Sequence, residues 1–155
     1  MKIIYILGLA HSGSTVVNIM LSKYPDAIGV GETYAVLSEK KVSFERTHNF
    51  CSCGRNLDEC EFWSCYLRWQ QKNRERSYEE KYRFLLKVVS NYNKNVVIDS
   101  SKNIWMLENI KKLEEKKEID LRVIFLIRDV RGWAASRYDL AKAGRKKVKF
   151  YPVYF

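Results

Sequence analysis

A glycine-rich segment near the N-terminus has the residue spacing of a phosphate-binding loop. Gly8–Thr15 (GLAHSGST) places four residues between two glycines and follows the second glycine with two hydroxyl residues. Such a loop directs backbone N–H groups and a helix N-terminus toward an anion. The ATP-binding version has a lysine after the second glycine, where this chain has Ser14. The segment therefore predicts a phosphate site without that lysine, with His11 as an extra hydrogen-bond donor. A turn of small residues used only for close packing is the alternative.

Three charged residues follow apolar runs elsewhere in the chain, and each has a side chain suited to group-transfer chemistry. They are Glu32, Lys102 and Arg128. A carboxylate can accept a proton from an attacking hydroxyl, and a guanidinium can bind two phosphate oxygens at once. The simpler interpretations are a capping or salt-bridging glutamate, an exposed lysine, and a surface ion pair between Arg128 and Asp129.

Two of these segments together resemble the sulfotransferases that use 3′-phosphoadenosine 5′-phosphosulfate as donor. Gly8–Thr15 is similar to that family's 5′-phosphosulfate loop, with His11 at a position where arginine or lysine is more usual. Arg122–Arg137 is similar to its 3′-phosphate segment, a strand that ends in Arg-Asp followed by a helix with a serine eight residues after the arginine. The resemblance covers about residues 2–140 and implies a three-layer α/β sandwich with a central parallel β-sheet and a P-loop-like turn.

The resemblance also implies roles for individual residues. The donor-binding residues would be His11, Ser12, Gly13, Ser14 and Thr15 in the loop, with Arg128 and Ser136 at the 3′-phosphate. Glu32 stands in a Gly-Glu context similar to the catalytic acid of tyrosylprotein and related sulfotransferases. Lys102 resembles a strand-end lysine that neutralises the transferring sulfuryl group, a task that His11 would share. By analogy with phosphoryl transfer, catalysis would rest on positioning and electrostatic stabilisation, with no metal required.

All four cysteines lie within fifteen residues, which indicates either a site or a covalent staple. They are Cys51, Cys53, Cys60 and Cys65. Their spacing, C-x-C-x6-C-x4-C, is not that of a standard zinc finger or ribbon, although four thiolates are enough for tetrahedral zinc. Zinc, disulfides and free thiols all remain open. The segment also resembles one that is common in bacterial members of the sulfotransferase group.

Alternating strands and helices must position these residues. The pattern predicts strands over Lys2–Leu7, Ala27–Val30, Asn95–Asp99 and Arg122–Ile127, and helices over Val16–Lys23, 77–93, Ile104–Lys117 and Val130–Ala143. This order is typical of a parallel sheet with helices on both faces, in which ligands bind beyond the carboxyl ends of the strands. Ser77 and Glu80 have capping-box spacing. Asp99 could orient Lys102 or cap the helix that follows it, and we expect the cap. Residues 43–70 show no clear period and are predicted to be an insertion.

Composition indicates a single α/β domain over residues 1–155. The chain is 46% hydrophobic and 14% aromatic, which argues against disorder, and no apolar run approaches a membrane span. Met1–Ala10 reads as a buried strand rather than a signal peptide, so we expect a cytoplasmic, reducing environment. The net charge of +10 favours anionic partners. The basic stretch Lys142–Lys149 reads as helix and loop rather than as a nucleic-acid arm.

The leading functional hypothesis is sulfuryl transfer to a hydroxyl acceptor. Family members are usually longer, so we expect a truncated member whose activity is less secure than its donor binding. The acceptor class, whether carbohydrate, tyrosyl peptide or small hydroxylated molecule, stays open. The rival hypotheses are a kinase or NTPase with a degenerate phosphate loop, and a non-catalytic binding module. An exposed sheet edge in such a module would promote self-association.

Overall fold

The computed structural model describes residues 1–38, 51 and 53–142. These residues form four strands and six helices. The strands are β1 (Lys2–Gly8), β2 (Ala27–Gly31), β3 (Val96–Asp99) and β4 (Asp120–Leu126). The helices are α1 (Ser14–Leu21), α2 (Thr33–Ser38), α3 (Glu61–Lys72), α4 (Tyr78–Ser90), α5 (Ile104–Glu115) and α6 (Val130–Lys142). None of the helices in this part of the chain combines the length and apolar content needed to cross a membrane.

All four strands are parallel and lie in the order β2-β3-β1-β4. Ile4 of β1 pairs with Ile98 of β3 on one side and with Arg122 of β4 on the other. Parallel neighbours cannot be joined by a tight hairpin, and the helices supply the crossovers. The prediction of an α/β fold with a central parallel sheet is confirmed, and the carboxyl ends of all four strands meet at one edge.

Alternation along β1 divides the core into two clusters on opposite faces of the sheet. Ile3 and Tyr5, both fully buried, belong to the larger cluster, which contains buried residues of α3, α4 and α5. Ile6 belongs to the smaller cluster, where Val17 and Leu21 of α1 pack on the sheet. Flanking helices therefore hold the strand ends, and the loops that follow them, in fixed positions.

Two helices were not predicted. α2 starts at Thr33, where only a turn was expected, and α3 lies inside the expected insertion. The buried residues of α3 are Trp63, Tyr66, Leu67 and Gln70. Their spacing of three, four and seven residues is that of a helix face, but aromatic and polar residues fill positions where aliphatic side chains would make the period clear. Residues 43–50 and 52 of the expected insertion, and the basic stretch from residue 143 onward, lie outside the described residues.

Helix caps match the prediction at α4 and differ at α5. The capping box of α4 is confirmed, because Ser77 Oγ accepts the Glu80 N–H at 3.3 Å and Glu80 Oε2 accepts the Ser77 N–H at 3.0 Å. The prediction that Asp99 caps α5 is wrong. Asn103 is the capping residue, and its Oδ1 accepts the Met106 N–H at 3.1 Å. Asp99 lies four residues before that position, and its carboxylate is turned into the interior.

We expect Ser77→Ala to lower the free energy of unfolding by about 1 kcal/mol, because the first turn of α4 loses its side-chain acceptor. Ser90→Ala at the other end of α4 is the control and should change stability by less than about 0.5 kcal/mol. Urea denaturation of the two variants and the wild type measures the difference. Equal stability of both variants would contradict a contribution from the cap.

Candidate functional site

A cavity of about 450 Å³ opens at the carboxyl edge of the sheet. Segments that follow all four strands contribute to its wall. Its lining residues are Ala10, His11, Gly13, Ser14, Thr15, Glu32, Lys102, Arg128 and Ser136. The structure thus brings together every residue that the sequence predicted for catalysis or donor binding, except Ser12. Two cationic side chains and one carboxylate line the cavity, so its formal charge favours an anion.

The loop between β1 and α1 forms one wall. Gly8 packs so closely on β4 that an added Cβ would lie 2.7 Å from the Leu126 carbonyl oxygen. Gly13 adopts a left-handed conformation (φ 96°) at the N-cap of α1, where no side chain caps the helix. α1 begins at Ser14, two residues earlier than predicted. Ser14 and Thr15 therefore belong to the first turn, whose N–H groups have no partner within the helix.

Ser12 is the one predicted loop residue that does not line the cavity. Its hydroxyl is turned toward the underside of the loop, 3.1 Å from the position that a Cβ on Gly8 would take. Its Oγ is buried and has no hydrogen-bond partner among the described residues. Its N–H donates to the Leu9 carbonyl at 3.2 Å. Ser12 therefore lies within the turn of the loop, and its predicted contact with a donor stays a prediction.

Residues of α6, together with Arg128 just before it, hold the loop after β1 from the other side. Arg128 Nη1 donates to the His11 carbonyl at 2.6 Å, and Trp133 Nε1 donates to the Ala10 carbonyl at 2.8 Å. Arg137 Nη1 lies 3.3 Å from His11 Nε2, and its guanidinium lies 5.7 Å from the centre of the Trp133 ring. Trp133 and Arg137 were not among the predicted site residues. Their four-residue spacing on the helix that also carries Ser136 is the signal that would have found them.

Glu32 and Lys102 meet across the cavity from two different loops. Lys102 Nζ lies 2.5 Å from Glu32 Oε1, and the side chains are 15% and 54% exposed respectively. Lys102 has a left-handed backbone (φ 61°), which is uncommon for a residue with a side chain. The carboxylate is therefore reachable from solvent, while the lysine is largely enclosed beneath it.

A buried carboxylate lies directly behind this ion pair. Asp99, with no exposed surface, accepts hydrogen bonds from Thr33 Oγ1 at 2.5 Å and from Tyr82 OH at 3.0 Å. It also accepts the Ser101 N–H at 2.9 Å and the Ser101 hydroxyl at 2.6 Å. Thr33 follows Glu32 in the chain and Ser101 precedes Lys102. Asp99 therefore fixes both loops that carry the ion pair.

Burial raises the pKa of the Asp99 carboxyl above its usual value, although hydrogen bonds from Ser101, Thr33 and Tyr82 oppose the rise. Desolvation penalises the ionised form of the acid in the interior. The folded chain consequently keeps this proton to a higher pH than the unfolded chain does.

This difference predicts a pH dependence of stability. Between the usual aspartate pKa and the raised one, the native state binds more protons than the unfolded state, so the contribution of Asp99 falls as pH rises. Because Asp99→Asn removes that titration, the stability advantage of the wild type over Asp99→Asn should be larger near about pH 4 than near about pH 7. Urea denaturation at both pH values measures it, and an advantage that grows with pH would contradict the assignment.

Three of the four cysteines converge away from this cavity. The sulfur atoms of Cys51, Cys53 and Cys60 all lie within 4.8 Å of one another. Cys65, on α3, is not part of this group, and none of the four forms a disulfide in the described structure. Burial raises the pKa of the Cys51 thiol to about 11, whereas the Arg55 N–H lowers the pKa of the Cys53 thiol. The predicted four-cysteine set is therefore reduced to three.

Comparison of the chain with known protein families, with characterised proteins and with solved structures finds no match. The geometry of the cavity is consequently the basis on which its chemistry is assigned.

Proposed function

We propose that this protein binds 3′-phosphoadenosine 5′-phosphosulfate in the cavity and transfers its sulfuryl group to a hydroxyl acceptor. The fold would then be a three-layer sandwich with a P-loop-like turn after β1. The observation that carries the proposal is the meeting of Gly8–Thr15 and Arg128–Ser136, about 120 residues apart in the chain, with Glu32 and Lys102 in one cavity. If any two of these segments lay on opposite faces of the fold, they could not form one shared site.

Donor binding would use two separate segments of the cavity wall, one for the 5′-phosphosulfate and one for the 3′-phosphate. Backbone N–H groups at Ser14 and Thr15 are suited to the 5′-phosphosulfate, because a helix N-terminus favours an anion. Arg128 and Ser136 would hold the 3′-phosphate. Arg128 has five N–H donors and donates one of its Nη1 hydrogens to the His11 carbonyl. The same guanidinium can therefore fix the loop and bind a phosphate oxygen.

The transfer step follows from the positions of the ionic groups. The acceptor hydroxyl oxygen attacks sulfur, and the bond between sulfur and the bridging phosphate oxygen breaks. The hydroxyl proton passes to the exposed Glu32 carboxylate, and the electron pair leaves with 3′-phosphoadenosine 5′-phosphate. Lys102 and the N–H groups of the loop stabilise the charge on the sulfuryl and leaving oxygens, and remote contacts at the 3′-phosphate hold the donor in register.

Two observations argue against the alternative of a kinase or NTPase. Ser14 replaces the lysine of an ATP-binding loop. Asp99, the strand-end acid suited to magnesium in such proteins, is buried and accepts four hydrogen bonds from protein groups. A carboxylate committed in this way has little capacity left for a metal ion. Both observations favour the sulfuryl donor over a magnesium–ATP complex.

A non-catalytic, self-associating module is the second candidate. The observation in its favour is that β4 is an edge strand of the sheet in the described part of the chain, where Val123 and Phe125 are 47% and 63% exposed. Unpaired strands with apolar side chains promote pairing with another chain. Dimerisation without nucleotide binding would favour this candidate over transfer chemistry.

Calorimetric titration with 3′-phosphoadenosine 5′-phosphate tests donor binding. We expect a Kd on the order of micromolar, and a loss of about tenfold or more in Arg128→Ala, because a charge-assisted contact to phosphate is removed. Arg122→Ala is the matched control, since Arg122 is an exposed arginine of β4 that pairs with Asp120 and does not line the cavity. Tighter binding of magnesium–ATP, or equal loss in both variants, would refute the assignment.

Glu32→Gln separates transfer from binding. The amide cannot take the acceptor proton, so transfer should fall by about 100-fold or more, while the affinity for 3′-phosphoadenosine 5′-phosphate stays within about twofold of wild type. A panel of phenols, saccharides and tyrosyl peptides with labelled donor measures transfer. Glu108→Gln on α5, which is exposed and outside the cavity, is the control. If Glu32→Gln transferred the sulfuryl group at the wild-type rate, Glu32 would not be a general base.

A further inference from the structure

We propose that Cys51, Cys53 and Cys60 form a structural zinc site, separate from the anion cavity, in which three thiolates hold one ion. Their sulfur atoms lie within 4.8 Å of one another. Zinc binds thiolates at about 2.3 Å in tetrahedral geometry, which places sulfur atoms about 3.8 Å apart. Small side-chain rotations would close the remaining gap, and a ligand outside this group of three sulfurs would complete the tetrahedral coordination of a structural site.

The backbone around the first two cysteines is built to present both sulfurs on one side. The Cys51 N–H donates to the Arg55 carbonyl and the Gly54 N–H donates to the Cys51 carbonyl, both at 2.9 Å. Gly54 supplies the left-handed conformation (φ 82°) that closes this turn. This turn places Cys51 and Cys53 side by side, and hydrogen bonds around metal ligands help to orient them.

Cys60 brings the third sulfur from a rigid element. It is the N-cap residue of α3, where no side chain caps the helix, and it is only 4% exposed. The N-terminus of a helix favours a negative charge such as a thiolate. Cys60 also packs in the main core with Leu57 and Trp63. This ligand is therefore held in place before any metal arrives.

Three convergent sulfurs favour a metal over a disulfide. A disulfide would use two of them and leave the third without a role, whereas zinc uses all three and a bound ion deprotonates its thiols. Three thiolates on a divalent ion leave one net negative charge, and the Arg55 guanidinium acts on the Cys53 sulfur with the opposite sign. Of the described residues from 51 to 60, only Leu57 and Cys60 are buried, so apolar burial alone gives this segment little stability.

Zinc here would anchor the N-terminal end of α3. At the other end of the same helix, Gln70 Nε2 donates to the Val36 carbonyl at 2.8 Å. Val36 belongs to α2, the helix that begins immediately after Glu32. The metal would therefore support the element next to the cavity without touching it. This inference does not depend on sulfuryl transfer, because none of the three cysteines lines the cavity.

Metal content of the purified 155-residue chain, prepared under reducing conditions with zinc and then dialysed, tests the proposal. We expect about one zinc per chain in the wild type and in Cys65→Ser, and at least about tenfold weaker zinc binding in Cys53→Ser and Cys60→Ser. Cys65→Ser is the matched control because Cys65 lies on α3 but outside the group of three sulfurs. Removal of zinc by a chelator should lower the thermal midpoint of the wild type and leave that of Cys60→Ser unchanged.

Cobalt substitution keeps the proposal testable if a variant does not fold. The wild-type chain loaded with Co²⁺ should show thiolate-to-metal charge-transfer absorption together with the visible bands of a tetrahedral site. Folded wild-type chain that binds no metal, a spectrum without thiolate ligation, equal zinc in Cys60→Ser, or a disulfide among these cysteines that persists with reductant and zinc would each overturn the proposal.

Discussion

The arrangement of the cavity depends on one buried carboxylate. Asp99 has no exposed surface, yet its oxygens accept four hydrogen bonds that come from the start of α2, from α4 and from the turn after β3. Removing the carboxylate would leave these buried donors without an acceptor, which costs about 1–3 kcal/mol for each. The carboxylate therefore fixes the loops that carry Glu32 and Lys102 more firmly than contacts at the surface would.

The opposite wall of the cavity is held by different means. Arg128 and Trp133 donate to consecutive backbone carbonyls of the loop after β1, and Gly8 allows that loop to lie directly against β4. Changes around Asp99 would consequently move the ion pair, whereas changes in α6 would move the loop after β1. This division explains how one cavity combines a rigid ion pair with a loop that leads directly into the first turn of α1.

Backbone strain is concentrated at the same place. Among the described residues, His11 and Lys102 are two of the four non-glycine residues with positive φ, and both line the cavity. Such conformations cost on the order of 1–3 kcal/mol and persist where surrounding contacts over-determine them. The hydrogen bond from Arg128 holds His11, and the ion pair with Glu32 holds Lys102. Both contacts join segments that are distant in the chain.

The sequence by itself determined the four strands with α1, α4, α5 and α6, the capping box of α4, and the position of the cavity residues after strand ends. These features follow from local periodicity and from the rule that parallel strands share a carboxyl edge. Tertiary structure alone decided that Asp99 turns inward, that Glu32 pairs with Lys102, that α3 forms within an irregular stretch, and that Cys65 stays apart from the other cysteines. The reason is physical. Periodicity reports which face of an element is buried, whereas partners such as Thr33 and Asp99, 66 residues apart, are chosen only when the helices and the sheet pack together.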